Sequence, residues 1–208
     1  MNVDGVEFAS LLCSRLCHDL LSPVGALNNG LELLIDEQDP EMRARCLELL
    51  TESARASANK LKFFRLAFGA AGGFGDKVDT REAKAAIEGL FGGERRIEIG
   101  WMVSDASMAK GALKVLLNLA LIAGDALVRG GRLDIGAEGG EIVVRAEGPR
   151  LVLDSELRNA LLGEPSGGVL TPRAAAAWLV HQLVASEGGR IQLSEPDDVI
   201  LLFGVTLN

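Results

Sequence analysis

Leu11-Leu-Cys-Ser-Arg-Leu-Cys-His-Asp-Leu-Leu-Ser-Pro-Val-Gly-Ala-Leu-Asn-Asn-Gly-Leu-Glu-Leu-Leu34 decides the fold, because its apolar residues recur at helical spacing and its polar residues gather on another side. Carried backward, the period takes in Phe8, Leu12, Leu16, Leu20, Val24, Leu27, Leu31 and Leu34. Asp4 followed three residues later by Glu7 has the form of a capping box, so the spacing predicts a helix over residues 5 to 36. Asp39-Pro40 supplies a second N-cap with proline at the first helical position. From there Leu47, Leu50, Ala54, Leu61, Phe64 and Phe68 carry a period that stops at Gly69. Each segment is about 30 residues and therefore about 45 Å long. The short link at residues 37 to 39 makes the two antiparallel neighbours. A hairpin covers only part of its own apolar stripes, and the simplest partner is the same hairpin from a second chain. That arrangement is a four-helix bundle in a twofold homodimer.

Beyond the hairpin the composition changes at Gly69-Ala-Ala-Gly-Gly-Phe-Gly75, which reads as a linker. A boundary near residue 72 follows, dividing a helical domain over 1–71 from a second domain over 72–208. In the second domain the patterns predict a helix at 80–91, a strand with alternating Ile97, Ile99 and Trp101, and a helix at 107–127. Two strands follow at 131–137 and 141–147, joined through Gly139-Gly140, then a helix at 172–186 and strands at 190–194 and 199–206. The class is α+β: a helical hairpin followed by an α/β sandwich.

Composition narrows the function. The 208 residues are 48% hydrophobic and 24% charged, which excludes disordered and fibrous classes. A formal net charge of −8 offers no cationic surface for nucleic-acid phosphates. The most apolar run, Val115 to Leu127, is broken by Asn118 and Asp125 and is too short to span a bilayer. No membrane or nucleic-acid partner is therefore expected. Cys13, Cys17 and Cys46 follow no disulfide framework, and Asp4 and Glu7 precede any basic residue, unlike a secretory signal, so the expected compartment is the cytoplasm. Cys13 and Cys17 read as small buried hydrophobes, and His181 as a partly buried packing residue.

With no Tyr and only two His, each imidazole carries weight. On a helical wheel starting at Phe8, the apolar positions from Leu12 onward fall within about 40° to 160°, and His18 falls near 280°. It should project into water from mid-helix, with Arg15, Ser22, Asn29 and Glu32 on the same side and Asn28 beside them. A neutral imidazole has a lone pair that attacks phosphorus with no metal required. Asp19 can accept a hydrogen bond from one ring nitrogen and fix the tautomer, although consecutive helical residues diverge and the side chains must bend. Arg15, three residues earlier, is placed to offset the charge of a phosphoryl group. Pro23 removes the amide that would bond the carbonyl of Asp19, so a kink is expected there. Gly25 and Gly30 each cost about 1 kcal/mol of helix propensity, which suggests close approach by the neighbouring helix or by a partner.

His18-Asp19-Leu20-Leu21-Ser22-Pro23 resembles the H-box of sensor histidine kinases, in which an acidic residue follows the histidine and a proline stands five after it. Residues 107–207 resemble the ATP-binding domain of those kinases, most closely at Leu183-Val-Ala-Ser-Glu-Gly-Gly-Arg-Ile191. Val115-Leu-Leu-Asn-Leu-Ala-Leu-Ile-Ala-Gly-Asp-Ala126 is similar to their N-box helix, but Ile122 stands where a magnesium-binding asparagine is expected. Ala146 likewise stands at the adenine-recognising aspartate, and Thr171-Pro-Arg-Ala-Ala-Ala-Ala177 replaces a glycine-rich lid. A hairpin with an H-box joined to such a degenerate, Bergerat-like domain resembles the ChpT-type histidine phosphotransferases of bacterial phosphorelays, over nearly the whole chain. The resemblance implies that His18 passes a phosphoryl group between aspartates of receiver domains. No cofactor of its own is implied, any Mg²⁺ belonging to the receiver. The implied partners are the receiver of a hybrid histidine kinase, response regulators of the cell cycle and a second copy of the chain. Two alternatives stand beside this: an active histidine kinase with an ATP site unlike the usual one, and a receiver-binding scaffold without chemistry.

Overall fold

Residues 4–69, 76–92, 96–165, 169–194 and 199–208 are described by a computed structural model of the chain. The boundary expected near residue 72 falls at 70–75, outside those residues. The hairpin forms where the periodicity places it, as α1 (Gly5–Asp36) and α2 (Pro40–Ala67). Asp39 caps α2 by accepting the amide of Glu41 at 3.1 Å. The capping box at the start of α1 does not form: Asp4 occupies the cap position, but its side chain makes no capping bond. Where the helices meet, Pro23 and Gly30 of α1 are buried. A Cβ on Gly30 would stand 3.0 Å from Cδ2 of Leu50, so the glycine lets α2 come close. Gly25 has nothing within 4 Å of its virtual Cβ, so nothing in this chain requires it.

At Pro23, where a kink is expected, α1 runs on as one helix. Part of the apolar stripe stays uncovered. Val24, Leu31, Leu47 and Leu61 are each about half exposed, at 50, 52, 53 and 51%. Cys13 and Cys17 are exposed too, contrary to the expectation of burial, and Cys46 alone of the three cysteines is buried. The physical reason is angular: Cys17 is seven residues before Val24 and shares its outward face, which α2 does not reach.

The rest of the chain builds the sandwich from β1 (Lys77–Asp79), α3 (Thr80–Phe91), β2 (Ile97–Val103), β3 (Ser107–Ala109) and α4 (Lys110–Ala126). It continues with β4 (Gly131–Glu138), β5 (Glu141–Glu147), α5 (Ser155–Leu161), α6 (Ala175–Ser186), β6 (Arg190–Leu193) and β7 (Ile200–Thr206). Five strands form one mixed sheet in the order β2-β4-β5-β7-β6, with β2 parallel to β4 and the other pairs antiparallel. Gly139 and Gly140, at φ 58° and 87°, make the two-residue turn between β4 and β5 that only left-handed backbone allows. Alternate residues face the helices: Leu133, Ile135 and Ala137 on β4, Ile142, Val144 and Ala146 on β5, Leu201, Phe203 and Val205 on β7. Against them lies α4, whose residues Leu113 and Val115 to Gly124 are buried. The short elements β1, β3 and α5 do not figure in the sequence-based expectation, because three-residue strands and a two-turn helix leave no room for a period. The helix expected from 107 begins at Lys110, since 107–109 pair with β1 as β3.

The hairpin is rooted in this core. Phe63, Phe64, Leu66 and Ala67 are buried with α4 and the sheet, and Phe64 stacks on Phe68 with ring centroids 5.2 Å apart. Asn59 donates to the carbonyl of Gly89 at 2.9 Å, and the fully buried Asn118 donates to the carbonyl of Ala67 at 3.1 Å. These bonds give the long α1 and α2 a fixed bearing on the second layer.

Candidate functional site

His18 projects from the middle of α1, and its side chain is 85% exposed. Its Nδ1 lies 3.1 Å from Oδ1 of Asp19. A carboxylate only accepts, so Nδ1 carries the proton, and in the neutral ring Nε2 keeps the lone pair. Asp19 manages the bend that adjacency demands because its other oxygen is held as well, accepting from Nε of Arg15 at 2.7 Å. Arg15 in turn reaches across to the second layer: its Nη2 donates to Oδ2 of Asp125 on α4 at 3.0 Å, and its Nη1 approaches the carbonyl of Arg173 at 3.5 Å. Burial opposes the charge on Arg15. Its bonds to Asp19 and the charges of Asp19 and Asp125 outweigh that, so the guanidinium holds its proton more tightly than usual.

Pro23 leaves the carbonyl of Asp19 without its helical donor. Nζ of Lys60 on α2 supplies one at 2.7 Å. The backbone beside the histidine is therefore tied to the second helix by a charged hydrogen bond, at the point where α1 passes through the proline.

These residues rim a cleft of about 830 Å³ between the hairpin and the second layer. Ser14, Arg15, His18 and Asp19 line it from α1, Lys60 and Phe64 from α2, Ile122 and Asp125 from α4. Its other wall is formed by Leu157 of α5 and by Thr171, Pro172 and Arg173 before α6. Ile122, standing where the kinase resemblance expects a magnesium ligand, is buried in that wall at 3% exposure. Ala146 is buried in the sheet. Among the described residues no group of three or more His, Cys, Asp or Glu is arranged to hold a metal ion. What the arrangement offers is a nucleophilic nitrogen at the mouth of a cleft, its tautomer set by a carboxylate that also stabilises positive charge on the ring as Nε2 forms a bond.

Ser22, Asn28, Asn29 and Glu32 are exposed on α1, and Asn28 donates to Glu32 at 2.8 Å. Arg15, expected to face a phosphoryl group, has its guanidinium engaged by two carboxylates and is 15% exposed. His181 is half-buried, stacked on Trp178, with Nδ1 3.2 Å from the carbonyl of Leu161. Two residues of the site escaped the sequence reading. Lys60 could have been sought, since Pro23 announces an orphaned carbonyl that needs a donor. Asp125 figured only as a break in the apolar run from Val115 to Leu127, although the one charge in such a run needs a partner and could have been sought in the site on that ground.

A family model, histidine phosphotransferase C-terminal domain, matches residues 80–199. The protein phosphotransferase ChpT of Brucella abortus (strain 2308) is 40% identical over 139 residues, which are 67% of this chain and 65% of that protein. The match therefore spans a little under two thirds of that relative's length. A solved bacterial phosphotransferase superposes with a TM-score of 0.86 at 30% identity, covering 99% of this chain and 98% of the other. The sandwich and the hairpin thus have a relative that shares both, and the family model covers more than half of the sequence: the chain belongs to the histidine phosphotransferase family.

Proposed function

We propose that this chain is a phosphorelay carrier in which His18 takes a phosphoryl group from the aspartate of one receiver domain and delivers it to the aspartate of another, without ATP. The observation that carries the reading is the 85% exposed imidazole with Nδ1 on Asp19, which leaves Nε2 available at a cleft mouth. In the forward step Nε2 attacks the phosphorus of the aspartyl phosphate, the N–P bond forms, and the P–O bond to the carboxylate breaks. The lone pair needs no base to free it, and the positive charge left on the ring faces Asp19. Return to a second receiver aspartate reverses each bond change. Mg²⁺ belongs to the receiver in this scheme, since it is there that the acyl phosphate is handled.

Family membership and the name of the Brucella relative support a phosphotransferase. The resemblance to ChpT-type proteins supports the receiver of a hybrid histidine kinase as donor and cell-cycle response regulators as acceptors. The half-exposed Val24, Leu31, Leu47 and Leu61 support a homodimer, because Val24 and Leu31 stand seven residues apart on α1 and Leu47 and Leu61 fourteen apart on α2, whole multiples of the seam spacing of a four-helix bundle. The described residues contain no helix long and apolar enough to cross a membrane, and the cytoplasm is the compartment in which receivers are met.

The test is transfer from a receiver phosphorylated beforehand, with the wild-type chain and with His18→Gln. Label should reach the wild type on His18, pass to a second receiver, and be absent from the variant. Label arriving from ATP and Mg²⁺ without any receiver would identify a kinase instead, and transfer undiminished in the variant would exclude His18.

A further inference from the structure

We propose that Asp125 of α4 is a positioning residue for phosphotransfer: acting through Arg15 and Asp19, it sets the orientation of the His18 ring. This rests on the reading of His18 as the phosphoaccepting residue and adds what the second domain contributes to it.

Three bonds make an unbroken relay from the sandwich to the nucleophile. Oδ2 of Asp125 accepts from Nη2 of Arg15 at 3.0 Å, Nε of Arg15 donates to Oδ2 of Asp19 at 2.7 Å, and Oδ1 of Asp19 accepts from Nδ1 of His18 at 3.1 Å. The ring at the end of the relay is 85% exposed and is not held by packing, so its orientation depends on the Asp19 bond. Asp19 and His18 are neighbours whose side chains leave the helix about 100° apart, so the carboxylate must be pulled toward the ring and kept there. Arg15 does the pulling by taking the second oxygen.

An arginine on a helix surface would ordinarily sweep through many rotamers. Arg15 does not, because its far end is fastened to α4, and its side chain is 15% exposed as a result. The anchor is rigid. Gly124 and Ala126, on either side of Asp125, are buried against the core, and α4 is the helix on which the sheet packs. The relay thus carries the stiffness of the sandwich to a ring on the far side of the cleft, which is how a supporting residue preorganises a reactive one. The alternating charges of Asp19, Arg15 and Asp125 also keep the guanidinium from turning toward the incoming phosphoryl group, where it would leave Asp19 and the ring unsupported.

The full-length chain tests this through Asp125→Asn, which keeps the shape and removes the charge, Asp125→Glu, which keeps the carboxylate, and Arg15→Lys, which cannot grip two carboxylates with one planar fork. Transfer from a phosphorylated receiver is followed at a series of receiver concentrations, and the His18 tautomer is read from imidazole nitrogen shifts. Asp125→Asn and Arg15→Lys should each slow transfer at saturating receiver by about tenfold with the half-saturating concentration unchanged. Both should turn a single Nδ1–H form into a mixture, Asp125→Glu should recover part of the rate, and the double variant should be no slower than either single one. Rates within twofold of wild type and an unaltered tautomer overturn the role of Asp125 while leaving His18 in place. A higher half-saturating concentration with an unchanged maximal rate also overturns it, making Asp125 a docking residue. If no phosphoryl group reaches His18 in the wild type, both this inference and the reading beneath it fall. Should Asp125→Asn fail to fold, Arg15→Lys and the tautomer measurement decide alone.

Discussion

Lys60 and Pro23 should be energetically coupled, and the structure fixes the sign and size of the coupling. Nζ of Lys60 donates at 2.7 Å to the carbonyl of Asp19, which Pro23 deprives of a backbone donor. A hydrogen bond to a charged group contributes about 1.5–3 kcal/mol, and the half-buried position of Lys60 argues for the lower end, so Lys60→Met should cost about 1.5 kcal/mol. Pro23→Ala removes a ring clash and restores an amide, which favours the helix by about 3 kcal/mol. The proline is buried against α2, so its two lost methylenes cost back about 1.6 kcal/mol, leaving the variant about 1.5 kcal/mol more stable. In that background the Asp19 carbonyl has a donor of its own, and Lys60→Met should cost no more than about 0.5 kcal/mol. The coupling is the difference, about 1 kcal/mol. Guanidinium unfolding of the four proteins, all at one protein concentration, measures it directly. Additivity within about 0.3 kcal/mol would show that Lys60 does not replace the missing amide.

Other consequences are as specific. Gly124→Ala should destabilise by about 2 kcal/mol or more in denaturant unfolding, because the new Cβ would press into the ring of Phe91, itself 1% exposed, and the gain in helix propensity of about 1 kcal/mol cannot offset that overlap; a variant as stable as wild type contradicts the packing of α3 on α4. Leu31→Glu with Leu61→Glu should convert a dimer to a monomer in size-exclusion chromatography with light scattering, with helical content retained, and a wild type already monomeric at micromolar concentration refutes the bundle. Asp79 caps α3 and accepts from the side chain and then the amide of Arg81, which together hold its carboxyl below the usual range. Its folded value being depressed, its contribution is present above about pH 4 and disappears as pH falls through the lower folded value. The stability difference between wild type and Asp79→Asn should therefore shrink on acidification below about pH 4, and a difference independent of pH would remove the ionised cap from the argument.

Most of the element boundaries were legible because each long element repeats its own rule. The period over Leu12 to Leu34 and the Asp39-Pro40 start locate both helices of the hairpin. Alternation in Leu133, Ile135 and Ala137 and in Ile142 and Val144, with Gly139-Gly140 between, locates a hairpin of strands. The face of His18 followed from the same wheel, and it is indeed exposed. The wheel misjudged Cys13 and Cys17, since an apolar arc says which residues want cover but not which of them a single chain covers. It also placed Arg15 correctly on the side of His18 while leaving unseen what holds it.

Residue order by itself determined the two long helices, the strand hairpin, the outward aim of the imidazole and the carbonyl orphaned by Pro23, because each depends on neighbours within a turn or two. Tertiary structure decided what answers those features. Lys60 meets the Asp19 carbonyl from 41 residues away, and Asp125 meets Arg15 from 110. A helical period sets the angle of a side chain about its own axis and says nothing of the phase or height of the helix opposite. Those are settled only when Phe63, Phe64 and Ala67 bury the root of the hairpin in the core and bring α1 to its fixed distance from α4.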